Sequence, residues 1–279
     1  MGNERLVIGA TGKTGKRVAD RLTARGVSFR PGSRRSAIPF DWEDAGTWPA
    51  ALEGIGSAYV AYSPDLAVPS AHGVIASFVE AAERAGLRRV VLLSERREAR
   101  AQACEELVKA SSLEWTILRP SWFAQNFSEG GFYEAVMGGR VEVPTSGAGE
   151  PFVDLEDLAE VAVAALLEDG HAGQTYEVTG PEVLTWEQAV ATIADVSGRG
   201  VVFEACSAEA FEATLVSAGF PSADAGFVAQ LVASILDGRN ASVGDGVQRV
   251  LGREPRSFEA FCRNAHAQGR WDDPVPDGV

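Results

Sequence analysis

The chain has 279 residues, 46% hydrophobic and 23% charged, which suits one large packed domain or two unequal ones and excludes a disordered chain. Acids outnumber bases 39 to 25, for a net charge of −14. That balance argues against nucleic-acid and anionic-membrane partners, both of which need clustered Lys and Arg.

In chain order, Leu6–Ala10 reads as a strand and residues 14–25 as a helix, with Val18 and Leu22 on one face and Gly26 as its stop. Strands follow at 27–32 and, shorter, at 38–41, then at 58–62, where Ser63-Pro64 ends the run. Residues 74–85 carry a helical stripe of Val74, Ile75, Phe78, Val79 and Ala82. Residues 89–94 form a fifth strand, apolar as buried parallel strands are. A helix at 98–111, with Cys104, Leu107 and Val108 inward, leads to a sixth strand at 115–120. This alternation predicts an α/β fold: a doubly wound parallel sheet with helices on both faces.

Past Pro120 the pattern loosens into an aromatic, Gly-rich segment, 121–151. Asp154 then reads as the N-cap of a helix at 155–167, and 174–178 as a seventh strand. Helices at 186–196, 208–218, 225–236 and 257–267 imply a smaller, mostly helical C-terminal lobe. The Pro- and Asp-rich end, 271–279, reads as frayed. Three dispersed cysteines and three dispersed histidines suggest neither a disulfide framework nor a metal site. With no apolar leader, a cytoplasmic protein is expected.

The sharpest motif is Gly9-Ala10-Thr11-Gly12-Lys13-Thr14-Gly15, lying between a strand and a helix. Spaced glycines let backbone approach a pyrophosphate, and the helix N-terminus offers free N–H groups. Residues 1–150 are therefore expected to form a nucleotide-binding domain, and 151–279 the remaining sheet elements and a smaller substrate-binding lobe. The carboxylate that reads an NAD ribose about 20 residues further on is absent. Ser33-Arg34-Arg35 stands there instead, and a guanidinium suits a 2′-phosphate. NADP(H) is favoured, with NAD(H) left open. Asp41 and Trp42 are placed beside the adenine, Trp42 equally as packing. The strand-end rule puts the reactive end of the cofactor at Ala61, Tyr62, Ser63, Leu93, Ser94, Pro120 and Ser121.

Several segments together carry a family likeness: Gly9–Gly15, Phe40-Asp41-Trp42, Val90–Ser94, Trp115–Pro120, Ser121-Trp122-Phe123-Ala124-Gln125-Asn126-Phe127 and Pro151–Asp154. They resemble the NmrA-like branch of the atypical short-chain dehydrogenases/reductases, actinobacterial members included, over residues 5–265. The resemblance implies a Rossmann domain with a small C-terminal lobe. It also implies an NAD(P)H-dependent oxidoreductase acting on a small aromatic or quinone-like molecule. Tailoring of an aromatic polyketide is one setting for that activity; a catalytically silent NADP(H) redox sensor that binds a partner protein, and a hydroxylase- or coupling-type tailoring enzyme on the same fold, are the alternatives.

One expected part is missing. Active short-chain reductases carry Tyr-x-x-x-Lys, but Tyr59, Tyr62, Tyr133 and Tyr176 are followed four residues later by Ser63, Leu66, Met137 and Gly180. Ser94 is a candidate donor to a substrate oxygen or a strand-end cap. Tyr62 is a candidate proton donor or a wall for the nicotinamide. Glu95-Arg96-Arg97 reads as a solvated charge cluster rather than an acid/base group. Trp122, Phe123, Phe127 and Tyr133 read as an aromatic substrate pocket or as core, and Asn126 as its polar group or a turn cap. Homo-oligomerisation stays open.

Overall fold

The computed structural model describes residues 4–272. The chain runs β1 (Glu4–Ile8), α1 (Lys13–Ala24), β2 (Phe29–Gly32), α2 (Trp48–Leu52), β3 (Ile55–Val60), α3 (Ala71–Arg84), β4 (Arg89–Leu93), α4 (Ala99–Lys109) and β5 (Glu114–Pro120). Then come α5 (Asn126–Glu129), α6 (Tyr133–Met137), β6 (Arg140–Val143), β7 (Gly149–Glu150), α7 (Leu155–Leu167), β8 (Gln174–Val178) and β9 (Leu184–Thr185). The last elements are α8 (Trp186–Ser197), β10 (Val202–Ala205), α9 (Ala208–Ser217), α10 (Ser222–Ile235), α11 (Gly246–Leu251) and α12 (Phe258–Ala267).

The chain divides into two compact units. The first takes residues up to Pro120, Leu155–Val178 and Gly244–Glu254; the second takes Ser121–Asp154, Thr179–Val243 and the chain from Pro255. A single cut near residue 150 does not describe this division. The helix and strand after Asp154 return to the first unit because β5 needs a parallel neighbour. The α7 crossover brings β8 beside β5.

The first unit is a doubly wound α/β sheet of six parallel strands in the order β2-β1-β3-β4-β5-β8. The strand order reverses at β1, which sets the topological switch point. Both faces are covered, so the central strands β1, β3 and β4 are largely apolar, while β8 at the sheet's edge alternates, with Tyr176 and Val178 buried. Leu6, Ile8, Ala58, Val60, Val90 and Leu92 pack with Ile75 and Phe78 of α3 and Cys104 and Val108 of α4. Val7, Tyr59 and Val91 point to the other face, where α1 packs on α7 and α7 on β3 and β4. Ten of the 13 residues of α7 are buried, Asp157 among them, held by Arg253 of the same unit at 2.7 Å.

Residues 38–41 do not form the expected strand. Pro39 has no N–H to give a ladder. The segment folds back instead: the Phe40 N–H donates to Ser33 O at 3.0 Å, and Asp41 makes one isolated bridge, to Asp44.

The second unit is mostly helical, with two short sheets that the sequence pattern does not announce: β6 parallel to β10 and β7 antiparallel to β9. A capping box, Thr185 with Gln188, starts α8. Its core is aromatic, centred on Phe127, Phe132, Phe152, Trp186 and Phe258. Residues 273–279 of the tail expected to fray lie outside the described residues. Trp271 is not frayed: its ring is buried in this core and its Nε1 donates to Phe127 O at 2.9 Å. No helix among the described residues is long and apolar enough to cross a membrane.

Candidate active site

The glycine loop joins β1 to α1. Gly9 sits at φ +78°, a left-handed conformation that disfavours a side chain. Its N–H donates to Gly32 O at the end of β2, and its carbonyl accepts from Gly12 N at 2.8 Å. A Cβ on Gly15 would lie 2.2 Å from Gly9 O, so α1 can lean on the loop only with glycine there. Gly12 is the N-cap and gives the helix no side-chain cap, which leaves the helix start suited to an anion. Thr11 and Gly12 are exposed, Lys13 is half-buried and Thr14 is buried. Tyr59 of β3 lies beside Thr14, and burial pushes its pKa far above the tyrosine range. Its buried hydroxyl has no hydrogen-bonding partner among the described residues.

The chain leaving β2 holds Ser33, whose hydroxyl meets that of Ser36 at 2.9 Å, followed by the exposed Arg34 and Arg35. Asp41 and Trp42 are engaged locally. Asp41 Oδ1 accepts from Glu43 N at 3.1 Å, and Trp42 Nε1 donates to Ala61 O at 3.2 Å. Trp42 packs edge-on to Phe40 and against Tyr62, 4.9 and 5.1 Å between ring centres. Packing is thus a shown role of Trp42, and Tyr62 is a ring of the same aromatic group.

At the C-terminal ends of β4 and β5 the structure corrects two expectations. Ser94 is nearly inaccessible, and its Oγ–H donates to Glu105 Oε1 at 2.6 Å. Its proton is therefore committed to a neighbour within the fold. Glu105, a fully buried carboxylate on α4, also accepts from Arg119 Nε at 2.8 Å and from Arg119 Nη2, with Lys109 Nζ at 3.3 Å. The hydrogen bond to Glu105 raises the Arg119 pKa still further above its ordinary value, against partial burial. Nor is Glu95-Arg96-Arg97 a solvated cluster. Arg96 is buried and bound to Glu177 at the end of β8, at 3.1 and 2.7 Å.

Glu95 is half-buried beside Asp65. Burial first, then the charge and hydrogen bond of Asp65, and then Glu98, push its pKa up to about 9. Asp65 Oδ1 itself accepts from Ala67 N at 2.7 Å. Composition and spacing gave no sign of this pair, since Asp65 and Glu95 are 30 residues apart in the sequence. Cys104, below them, is a core thiol rather than a nucleophile. Burial, then Glu98, Glu105 and Glu95, raise it to about 11.

In the second unit, Phe127 is fully buried among Phe132, Phe152, Trp186 and Phe258, so it is core and not a pocket wall. Trp122, Phe123, Asn126 and Tyr133 are half-buried. Trp122 stands edge-on to Trp186 at 5.2 Å, and Phe123 bridges Val153 through its backbone. Ser121 Oγ donates to Pro151 O, while Pro120 closes β5 and Leu93 closes β4. A cavity of about 510 Å³, lined by Arg5, Ser57, Arg88, Arg89 and Leu166, lies at the N-terminal ends of the strands, away from the glycine loop.

No family model matches the chain. It is 32% identical over 281 residues to an uncharacterized oxidoreductase, YesF, of Bacillus subtilis, covering 95% of this chain and 96% of that one. The chain belongs to this oxidoreductase family. An NAD(P)H azoreductase of Xenophilus azovorans is 29% identical over 299 residues, covering 94% and 97% of the two chains. The NADPH-dependent quinone oxidoreductase QOR2 of Escherichia coli, solved with NADPH, shares the fold: TM-score 0.76 at 20% identity, over 94% of this chain and 99% of that one. The protein is accordingly an NAD(P)H-dependent oxidoreductase, and the oxidoreductase keeps its glycine loop at the switch-point end of its sheet.

Proposed function

We propose that this protein reduces a flat, conjugated acceptor of the quinone or azo class with NADPH, on an NmrA-like scaffold. The observation that carries the NADPH preference is the exposed Arg34–Arg35 pair immediately after β2, where a carboxylate would select NAD. Gly9, Gly12 and Gly15, with Thr11, Lys13 and Thr14, would hold the pyrophosphate. Ser33, Arg34 and Arg35 would hold the 2′-phosphate, and Asp41 and Trp42 would flank the adenine. Ala61, Tyr62 and Ser63, with Leu93, Pro120 and Ser121, would border the nicotinamide. When bound, the reduced nicotinamide supplies the hydride.

The residues do the rest: they orient the acceptor and deliver a proton. Half-buried Trp122, Phe123 and Tyr133, with Asn126 as the polar group, are the candidates for holding an aromatic substrate. The names of the azoreductase and the quinone oxidoreductase support a flat acceptor. Polyketide tailoring would be one setting for the same chemistry.

The test mixes purified protein with NADPH and a panel of quinones and azo dyes, menadione included, and follows loss of nicotinamide absorbance. Acceptor-dependent NADPH oxidation with a quinone or azo dye is expected. Oxidation with none of them would contradict the substrate class.

A further inference from the structure

Resting on that reading, we infer that Glu95 delivers the proton consumed in each reduction, from a carboxyl pair it forms with Asp65. Reducing a carbonyl, quinone or azo group takes up a proton with each hydride, and the chain has no Tyr-x-x-x-Lys motif to supply it. The other residues at these strand ends are largely spoken for. Ser94 gives its hydrogen to Glu105. Lys109 is turned to Glu105 and Glu106. Trp42 Nε1 is turned to Ala61 O. Tyr62 remains the rival donor.

Position favours Glu95. β3 and β4 pair in register with Val60 opposite Leu92, so the segments carrying Asp65 and Glu95 leave the same edge of the sheet on neighbouring strands. That edge is where an open parallel sheet binds its ligand. Two carboxyls within hydrogen-bonding reach of each other require a proton between them. Asp65 is anchored by Ala67 N, so it serves as the fixed acceptor. The charges that reach Glu95 are the carboxylates of Asp65 and Glu98, and Glu98 is itself held as the N-cap of α4 by Ala101 N. The Cys104 thiol lies near them. The guanidinium of Arg96 faces Glu177 and that of Arg100 faces Ala67 O. Arg97 is exposed. This arrangement keeps Glu95 protonated at neutral pH, as a general acid must be.

The step balances. The acceptor atom gains the hydride and its two electrons from the reduced nicotinamide, which is thereby oxidised. The Glu95 O–H bond breaks, its proton goes to the substrate oxygen or nitrogen, and its electron pair stays on the carboxylate. Water returns a proton to Glu95 before the next turnover.

The experiment measures pH profiles of kcat/KM for the full chain with NADPH and menadione. Wild type is expected to lose rate on the alkaline side as Glu95 ionises. Glu95→Gln is expected to lower kcat about 100-fold, within the usual range for a lost general acid, and to erase that limb with the KM for NADPH unchanged. Asp65→Asn removes a repelling charge, so the limb should move to lower pH. A merely structural pair would not produce that shift. Tyr62→Phe should leave the limb in place.

A second measurement needs no turnover. The folded protein holds the Glu95 proton over a range where the unfolded chain has released it. Stability should therefore fall as pH rises from the ordinary carboxyl range towards about 9, and Glu95→Gln should flatten that fall. A Glu95→Gln enzyme with wild-type rate and limb, a limb lost in Tyr62→Phe, or an unchanged stability profile would each overturn the proposal. A wild type inactive with every acceptor would overturn the substrate reading and the destination of the proton. The stability profile would still show whether Glu95 holds one.

Discussion

At Gly15 a single methyl group decides whether the cofactor loop can exist. Its Cβ would fall 2.2 Å from Gly9 O, against backbone that cannot swing aside. Gly15→Ala should cost about 1–3 kcal/mol of stability from overpacking and weaken NADPH binding at least about tenfold, read by thermal melting and fluorescence titration. Gly73, in α3, makes the contrast: beyond its chain neighbours and the helix's own backbone, nothing lies within 4 Å of a Cβ there. Gly73→Ala should be neutral or stabilise by up to about 1 kcal/mol and leave binding untouched. The difference between two glycines of one chain is steric, and a sequence motif conveys only the first of them.

Among the elements, the ends of β4 and β5 are tied to α4 by one buried carboxylate. Glu105→Ala would strand Arg119 and Ser94 without their partner. It should cost about 3 kcal/mol, the low end for a broken buried pair because Arg119 is part-exposed, as measured by urea unfolding. Glu105→Gln, which keeps an acceptor for Ser94, should cost less. The strands themselves were legible from local pattern: four runs rich in apolar residues became β1, β3, β4 and β5, because parallel strands covered on both faces need apolar side chains, and the alternating run at 174–178 became β8. Ile38–Asp41 misled because Phe40 is apolar for a different reason, a place in the Trp42–Trp48–Phe78 aromatic group. β6 and β10 were not legible, since they pair across some sixty residues and Val202 and Glu204 of β10 face solvent. The glycine loop was readable because its chemistry is contiguous. The Glu95–Asp65 pair and the Ser94–Glu105 bond were not, because each depends on tertiary proximity. Phe127 was left open by the sequence as pocket or core, and its full burial makes it core.

For the whole molecule, the chain's −14 charge and its basic turn after β2 act together. An acidic protein repels polyanions in general, while Arg34 and Arg35 offer one exposed basic point beside a loop suited to pyrophosphate. In the function proposed, cofactor choice would follow from that point and proton delivery from the strand-end carboxyls of the same unit. The most direct test of NADPH-dependent reduction compares kcat/KM for NADPH and NADH with menadione as acceptor. Charge-assisted hydrogen bonds to a 2′-phosphate, at about 1.5–3 kcal/mol each, predict a preference for NADPH of about tenfold or more. Equal values for the two cofactors, or a preference for NADH, would contradict it.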